Sequence, residues 1–337
     1  MKLSELGEEA LIQRLIGQGF LTKSGPGLVI GVGDDAAVLA IGDGDYTLVT
    51  TDMLTERIDY LPDWITPYEL GWKSVAVSIS DIAAMAGLPT WTFASIGLKP
   101  DTEVEYVDEL YRGMAECALR FGSEIAGGDT NSVKGDDTFS ITQMGRVEPS
   151  RLVLRSVAKP GDRILVTGNL GDSRGGLELL LKYGPDARRI SACLTASHLM
   201  PMPRVTEARA AVGTGAVHAM MDLSDGLGAD LPKLCKASGV GAVIYADKLP
   251  ISDELRRIAG MLEMDAVQLA ASGGEDFELL MAVDPSGVDA VMQSVENATG
   301  TSVTEIGEIT DGPVEIVRPD GSRTPLICGW EHFLGNG

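Results

Sequence analysis

The residues best suited to chemistry are acidic side chains in short segments rich in glycine, serine and threonine. Each segment follows or interrupts an apolar run, so each carboxylate is expected where a buried element meets a loop. One such turn would carry no functional meaning, because aspartate and serine are common in turns and helix N-caps. Six of them, spread over both halves of the chain, favour a shared site. The six are GDD (33–35), TTD (50–52), SISD (78–81), GGDT (127–130), MDLSDG (221–226) and SGGED (272–276).

Carboxylates and hydroxyls with few histidines are typical of sites for hard cations. Proteins hold Mg²⁺ through oxygen, often with a few carboxylates, water and substrate phosphates. Glycine turns let backbone N–H groups approach phosphate oxygens. Zinc is disfavoured, because the chain has 3 His and 4 Cys with no cluster at ligand spacing. The pattern therefore predicts a site for several Mg²⁺ ions and a phosphate compound.

Familiar nucleotide-binding motifs are absent from the sequence. No GxxxxGK[ST] segment occurs, and its nearest counterpart, GWKS (71–74), lacks the upstream glycine. The G-x-G pairs at 31–33 and 226–228 are not completed by the third glycine of a dinucleotide fingerprint. A nucleotide site in this chain must therefore be of another type.

The charge balance excludes several classes of partner. The 337 residues include 49 Asp and Glu against 27 Lys and Arg, which gives a formal net charge of −22. Nucleic acid and anionic membrane surfaces would be repelled, so neither is expected as a partner. The hydrophobic content of 44% is typical of a folded protein, and the 41 glycines indicate many tight turns.

The apolar patterns that must position these carboxylates predict an α+β protein of two domains, 1–148 and 149–337, separated by the stretch 148–161. In the first half the helices are predicted near 11–16, 66–85 and 101–121, and the strands at 27–33, 36–40, 46–51, 90–98, 124–126 and 138–147. In the second half the helices are predicted near 172–183, 204–212, 227–238, 252–263 and 287–299, and the strands at 163–168, 217–223, 240–246, 278–283 and 302–309.

The N-terminal 20 residues carry acids where a signal peptide would be basic and then apolar. No apolar run approaches the ~18 residues of a membrane span. The scattered cysteines favour a reducing compartment. The chain is therefore expected to be cytoplasmic.

In order and spacing, six segments resemble the thiamine-monophosphate kinase family, which belongs to the superfamily of aminoimidazole-ribonucleotide synthetase and selenophosphate synthetase. The segments are GVGDDAAVL, TTDML, SVAVSISDIAAMAGLP, AGGDT, MDLSDGL and ASGGEDFEL. The resemblance runs from about residue 5 to the C-terminal CGWEHF. The GDD and GGD segments are shared across the superfamily, whereas SDIAAMAG, DLSDGL and SGGEDFEL are more specific to the kinase.

The resemblance implies a fold and a reaction. The N-terminal α+β domain would pair its sheet with that of a second copy to build a barrel-like homodimer. The C-terminal α+β domain, a mixed sheet flanked by helices, would complete an active-site cleft. The implied reaction transfers the γ-phosphoryl group of ATP to thiamine monophosphate, with Mg²⁺, to give thiamine diphosphate.

Carried over position by position, the resemblance also implies site residues. The metal ligands would be Asp35, Thr50, Thr51, Asp52, Asp81, Asp129, Asp222 and Asp225. The nucleotide contacts would be Gly128, Asp129, Arg155, Ser224 and Tyr111. The substrate contacts would be Asp59, Glu275 and Trp330. Asp222, Asp35 and Arg155 would be catalytic.

One position departs from the family pattern. Bacterial members commonly have a histidine before an aromatic residue where this chain has Asp59 and Tyr60. A carboxylate cannot donate to a phosphate unless it is protonated. The contact at Asp59 is therefore either lost or mediated by a metal.

The acceptor in the implied reaction is a phosphate monoester, which is already anionic near pH 7 because its second pKa is about 6. It needs no general base, so we expect direct in-line transfer with Mg²⁺ and Arg155 offsetting the charge. Two alternatives remain open at this point. The chain could be another ATP-using enzyme of the superfamily, or a regulatory protein that binds metal or nucleotide without catalysis.

Overall fold

The structure is a computed structural model that describes residues 2–42, 44–326 and 329. In those residues the chain forms two α+β units, each with one mixed sheet and helices packed on it. The predicted fold class is therefore confirmed. No helix in these ranges is both long enough and apolar enough to cross a membrane.

The first unit has a six-stranded sheet in the order β1-β2-β3-β6-β4-β5, in which only β4 and β5 run parallel. Its elements are α1 (Leu3–Leu6), α2 (Glu8–Gly17), β1 (Leu28–Ile30), β2 (Ala37–Leu39), β3 (Tyr46–Thr55), α3 (Pro67–Ala84), β4 (Leu88–Leu98), α4 (Val104–Arg120), β5 (Glu124–Ser132) and β6 (Thr138–Val147).

The second unit has a seven-stranded sheet in the order β13-β12-β9-β11-β7-β10-β8, in which only β12 and β9 run parallel. Its elements are β7 (Arg163–Thr167), α5 (Asp172–Tyr183), α6 (Ala187–Ile190), α7 (Ala192–Leu199), α8 (Val205–Val212), β8 (Val217–Asp222), α9 (Leu227–Ser238), β9 (Gly241–Tyr245), α10 (Asp253–Leu262), α11 (Ala266–Ser272), β10 (Leu279–Val283), α12 (Val288–Thr299), β11 (Val303–Thr310), β12 (Val314–Val317) and β13 (Arg323–Pro325).

Helix α3 is the element that joins the two units. Thr66 caps it by accepting from the Glu69 backbone, the Glu69 carboxylate accepts in return from the Thr66 backbone, and Pro67 occupies the first turn. This is a capping box with a proline at a position that needs no N–H donor. The helix contacts strands β3, β4 and β6 of the first sheet and β8 of the second. It is buried along nearly its whole length, so side chains on opposite faces reach different units.

Two glycines allow α3 to pack very closely on α4. A Cβ atom at Gly71 would lie 2.0 Å from the Leu110 carbonyl oxygen, and one at Gly113 would lie 1.9 Å from the Tyr68 carbonyl oxygen. Neither helix could approach the other this closely with a side chain at those positions. This contact holds α3 in place above the sheet and thereby sets where its polar residues lie.

Two of the acidic segments lie inside strands, whereas they were predicted to lie where strands end. The TTD segment lies in the middle of β3, which continues to Thr55 rather than ending at residue 51. The GGDT segment is part of β5, which extends to Ser132 rather than stopping at residue 126. Pairing of these stretches with β6 and β4 continues their strands past the polar residues, which local hydrophobicity could not indicate.

Several short elements were also missed by the sequence patterns. Helices α6, α7 and α11 and strands β12 and β13 lie in stretches for which no element was predicted. The first sheet ends at Val147 and the second begins at Arg163. The domain boundary at 148/149 and the barrel-like dimer stay predictions.

Candidate active site

Three aspartates from distant parts of the chain form a compact carboxylate cluster. One oxygen of each of Asp35, Asp81 and Asp222 lies within 4.8 Å of the others. Asp35 follows β1 in the GDD turn, Asp81 lies in the last turns of α3, and Asp222 is the last residue of β8. We call these three residues the aspartate triad. In the described ranges it is the one group of acidic, histidine or cysteine side chains close enough to share a metal ion.

Hydroxyl groups orient the carboxylates around the triad. Thr50 donates to Asp81 at 2.5 Å, and Ser80 donates to Asp222 at 2.6 Å. A fourth aspartate, Asp52, accepts from Ser78 at 2.6 Å. Each bond joins α3 to a strand, so the helix lines up acids from both sheets. The two serines were not predicted as site residues, although they stand in the SISD segment that was singled out.

Burial shifts the titration of the triad. It raises the pKa of Asp35 to about 6, with Arg155 opposing the shift and Asp34 adding to it. Burial also raises the pKa of Asp81 well above its ordinary value, and Asp52 and Asp222 raise it further. The pKa of Asp222 is raised by burial and by Asp35. Several carboxylates so close together disfavour one another's charged forms, so the triad has an unmet need for positive charge.

Arg155 is the cation that lies nearest the triad. Its guanidinium donates to Asp35, and its backbone N–H donates to Asp34 at 3.3 Å. The side chain is only 16% exposed, so Arg155 is not an ordinary surface charge. Buried Arg155 Nε and Asp35 Oδ2 both lack a hydrogen-bond partner in the described ranges, although Nε lies 3.7 Å from Asp34 Oδ1. The polar groups of this site are therefore not fully satisfied by one another.

Strand alternation separates the two threonines of the TTD segment. Thr50 and Asp52 point to the face of β3 that α3 covers, whereas Thr51 is exposed and accepts a long 3.4 Å bond from Thr142. Successive side chains of a strand point to opposite faces, so only one of the two threonine hydroxyls can reach the triad. The Thr51 side chain therefore faces away from the triad, and its role as a metal ligand stays a prediction.

Gly128 and Asp129 lie on β5 at the exposed edge of the first sheet. Asp129 pairs in register with Ser95 and is not part of the triad. Gly128 has a φ of 155°, and a Cβ there would lie 1.8 Å from the Ala94 carbonyl oxygen. This position therefore excludes any side chain, because the β5 backbone lies directly against the backbone of β4 here.

A cleft with a volume of about 470 Å³ lies next to these carboxylates. Asp52 lines it, so the cleft and the triad are neighbours. Other lining residues come from both units, and the apolar ones form much of its wall. The predicted site residues that line the cleft are Asp52, Asp59, Ser224, Asp225 and Glu275.

Glu275 lies in the cleft on an unusual stretch of backbone. Its φ is 64° and that of Phe277 is 50°, which is rare for residues with side chains. The Glu275 N–H donates to the Ser224 carbonyl oxygen at 2.7 Å, and the Phe277 N–H donates to that of Leu223 at 2.9 Å. The SGGED loop is therefore fastened to the MDLSDG loop, which brings two predicted segments together.

Behind Glu275 lie two residues that the sequence did not indicate as functional. Lys73 Nζ lies 2.9 Å from Glu275 Oε1, and His198 Nδ1 lies 3.1 Å from Glu275 Oε2. Burial, helped by Lys73, lowers the pKa of His198 to about 3, so this histidine is neutral at physiological pH. The available signal for Lys73 was that it is the one basic residue of α3, next to a mostly apolar stretch.

Asp225 is already paired with a cation. Lys233 Nζ lies 2.5 Å from Asp225 and 2.8 Å from the fully buried Asp230. Lys233 is partly exposed but pairs with two carboxylates, so it is not an isolated surface charge. A metal at Asp225 would have to compete with Lys233.

The remaining predicted residues are spread around the site. Asp59 accepts from the Thr55 N–H at 2.7 Å in the turn after β3. Tyr111 is half-buried on α4 and packs against the main core. Neither residue belongs to the triad. The prediction for Trp330 lies outside the described residues.

Comparison with known proteins adds independent findings. Residues 33–147 match the family model of the AIR synthase related protein N-terminal domain, and residues 159–319 match that of the C-terminal domain. The thiamine-monophosphate kinase of Aquifex aeolicus is 34% identical over 99% of this chain and all of its own length. The enzyme of that name from Mycobacterium tuberculosis is 35% identical over 98% of this chain and 93% of its own length.

Solved structures agree with these matches. A structure described as AaThiL complexed with AMPPCP and TMP is 32% identical, with a TM-score of 0.84 over 98% of this chain and 99% of that one. A thiamine-monophosphate kinase from Stenotrophomonas maltophilia is also 32% identical, with a TM-score of 0.75 over 93% of this chain and 96% of that one. The chain belongs to the thiamine-monophosphate kinase family of AIR synthase related proteins.

Proposed function

We propose that the protein is a thiamine-phosphate kinase that transfers the γ-phosphoryl group of ATP to thiamine monophosphate. The observation that carries this proposal is the aspartate triad beside a cleft that contains Glu275. Helix α3 contributes to both, because Asp81 belongs to the triad and Lys73 contacts Glu275. Lys73 and Asp81 are eight positions apart on α3, which corresponds to about 12 Å along the helix axis. This separation suits an acceptor that has its phosphate at one end and its rings at the other.

The donor set at the triad suits Mg²⁺. Among the described residues only oxygen atoms converge there, and Asp35 Oδ2 has no hydrogen-bond partner among them. Asp35, Asp81 and Asp222 would hold the metal, with Asp52 and Thr50 beside them. When bound, Mg²⁺ neutralises the phosphates and the carboxylates together. Thr51, Asp129 and Asp225 stay predicted ligands.

The protein's own residues would act by positioning and by charge. Arg155 lies beside Asp34 and Asp35, where its guanidinium would stabilise charge on the transferring phosphoryl group. Gly128, Ser224 and Tyr111 stay predicted nucleotide contacts. His198 and His218 lie outside the triad, and His218 pairs with Asp162. Direct in-line transfer without a general base is consistent with this arrangement.

The cleft suits a flat organic cation. Its walls include Ile58, Leu177, Leu181 and Phe277, which would pack on the rings of thiamine. Glu275 would face the positively charged part of the acceptor. Asp59 lines the same cleft and stays a predicted contact, as does Trp330.

The first sheet also favours a homodimer. Met53, Trp91 and Phe93 lie on its uncovered face and are 62%, 49% and 36% exposed. An apolar face of this kind on a sheet is typical of a contact surface. We infer that a second copy covers it, and that the dimer works in the cytoplasm. Sedimentation of the wild type and of Trp91→Lys would test the contact, since a dimer in both would place the interface elsewhere.

The test of the function is an ADP-release assay with ATP and Mg²⁺. Thiamine monophosphate, free thiamine and an aminoimidazole ribonucleotide precursor would be compared as acceptors. Of the three acceptors, we expect only thiamine monophosphate to give ADP release. This release should be lost when EDTA removes the metal. Activity only with another acceptor would refute the assignment. With chiral γ-phosphate, direct transfer predicts inversion, and retention would contradict it.

A further inference from the structure

Lys73 is a fully buried cation whose partner lies in the other unit. Its side chain is 1% exposed, and Nζ lies 2.9 Å from Glu275 Oε1 and 3.0 Å from Oε2. The two residues are 202 positions apart in the chain. Burying an ammonium group is unfavourable unless the group is well paired. An apolar residue would suit this helix better, so the lysine needs an explanation beyond packing.

Glu275 has its carboxylate partly open to the cleft. The Glu275 side chain is 29% exposed, whereas the Lys73 side chain behind it is only 1% exposed. A Cβ at the preceding Gly274 would lie 2.8 Å from the Ser224 carbonyl oxygen, so the loop cannot easily shift toward that segment. The carboxylate is thus held between a buried cation on one side and the ligand space on the other.

The groups around Glu275 favour its charged form. Burial alone would raise the pKa of Glu275, but the Lys73 ammonium group outweighs it and brings that pKa below its ordinary value. His198 on α7 is neutral, and Arg174 on α5 lines the same cleft while pairing with Glu178. Lys73 is therefore the charge that compensates Glu275.

We propose that Lys73 is a positioning residue for the acceptor: it clamps Glu275 from behind, so that an ionised carboxylate faces the cationic rings of the bound substrate. This inference rests on the proposed function, because it takes thiamine monophosphate as the acceptor. A purely structural tie between the two units would use the same ion pair. The two roles differ in what they predict for substrate binding.

The experiment is a double-mutant cycle of Lys73→Met and Glu275→Gln. The dissociation constant of thiamine monophosphate would be measured by calorimetry with Mg²⁺ and without ATP, and KM and kcat by ADP release. Lys99→Met is the matched control, because Lys99 pairs with Glu56 and Asp137 outside the cleft. Thermal melting of each variant monitors folding.

We expect Lys73→Met to weaken acceptor binding about tenfold or more, with KM for ATP and kcat changed less than about threefold. Glu275→Gln should do the same, and the double variant should bind no more weakly than Glu275→Gln within about threefold. Lys99→Met should bind like the wild type. If Lys73→Met does not fold, the inference is tested by comparing acceptor binding of the double variant with that of Glu275→Gln. The double variant lacks both charges and so leaves no unpaired buried ammonium group.

Unchanged acceptor binding in Lys73→Met would overturn the inference. So would a further loss of about tenfold in the double variant, or an equal fall in kcat and in the affinities for both substrates. A wild type that neither binds nor phosphorylates thiamine monophosphate would refute the proposed function, and the inference with it. A wild type that does both, beside an unaffected Lys73→Met, would refute the inference alone.

Discussion

Toward the C-terminal end of helix α3, three aspartates from three segments of the chain lie within 4.8 Å of one another, with one arginine beside them. Toward the N-terminal end of the same helix, Glu275 lies against Lys73 and the neutral His198. Both ends bury acids against α3. The first end carries more negative charge than its protein neighbours compensate, whereas the second carries an equal number of opposite charges.

The difference indicates which end depends on a ligand for its own stability. Uncompensated carboxylates repel one another and raise one another's pKa values, and a bound cation removes this repulsion. A paired carboxylate needs no further partner, so its shape and charge are set before the substrate binds. We therefore expect the triad to be completed by metal and the Glu275 end to be preorganised.

Removing one triad acid should have the largest effect on activity. Asp222→Asn should lower kcat by about 10³-fold, because Mg²⁺ and the phosphates lose a ligand at the reacting centre. The melting temperature without Mg²⁺ should stay unchanged or rise, since repulsion is relieved. ADP release and thermal melting measure both. The exposed Asp247→Asn is the control, and near-normal turnover of Asp222→Asn would remove this acid from the metal site.

Metal binding should stabilise the protein through the triad. At a Mg²⁺ concentration of 100 times the dissociation constant, the free energy of unfolding should rise by about 2.7 kcal/mol. Asp222→Asn should gain much less at the same concentration. Denaturant unfolding with and without Mg²⁺ tests this, and an equal gain in both proteins would mean that the metal binds elsewhere.

The Glu275 end should instead lose stability in acid. The pKa of His198 is about 3 in the folded protein against an ordinary 6.5. Below pH 6.5 the unfolded chain takes up a proton that the folded protein refuses, so stability falls as the pH is lowered toward 3. At pH 5 the loss amounts to about 2 kcal/mol, from about 1.4 kcal/mol per pH unit.

His198→Gln removes this titration from both states. Its free energy of unfolding should therefore fall about 2 kcal/mol less than that of the wild type between pH 7 and pH 5. Denaturant unfolding at the two pH values gives the difference. Identical pH dependence in the two proteins would contradict a neutral, buried His198.

The two threonines of β3 provide the smallest and sharpest comparison. Thr50→Val removes a hydroxyl that donates to Asp81, so kcat should fall about tenfold. Thr51→Val changes an exposed position on the other face and should lower kcat less than about threefold. Steady-state assays of the two variants suffice. Equal effects would show that Thr51 reaches the metal despite its direction.

The sequence by itself determined the chemistry of the site and most of the long elements. Asp35, Asp81 and Asp222 stand in segments whose oxygen-rich composition already indicated Mg²⁺, and helices such as α3 and α9 follow from periodicity and capping. These signals are local, because a residue's type and its near neighbours suffice to produce them. The family segments added the reaction and the names of the remaining ligands.

Only the tertiary structure decided which of these residues meet. Whether Thr50 or Thr51 faces α3 depends on the register of β3, and a shift by one residue would exchange them. The pairing of Lys73 with Glu275 depends on how the two units pack around α3, over 202 positions of chain. Such contacts arise from the packing of whole elements against one another. The pattern of hydrophobic residues around either partner therefore cannot predict these contacts.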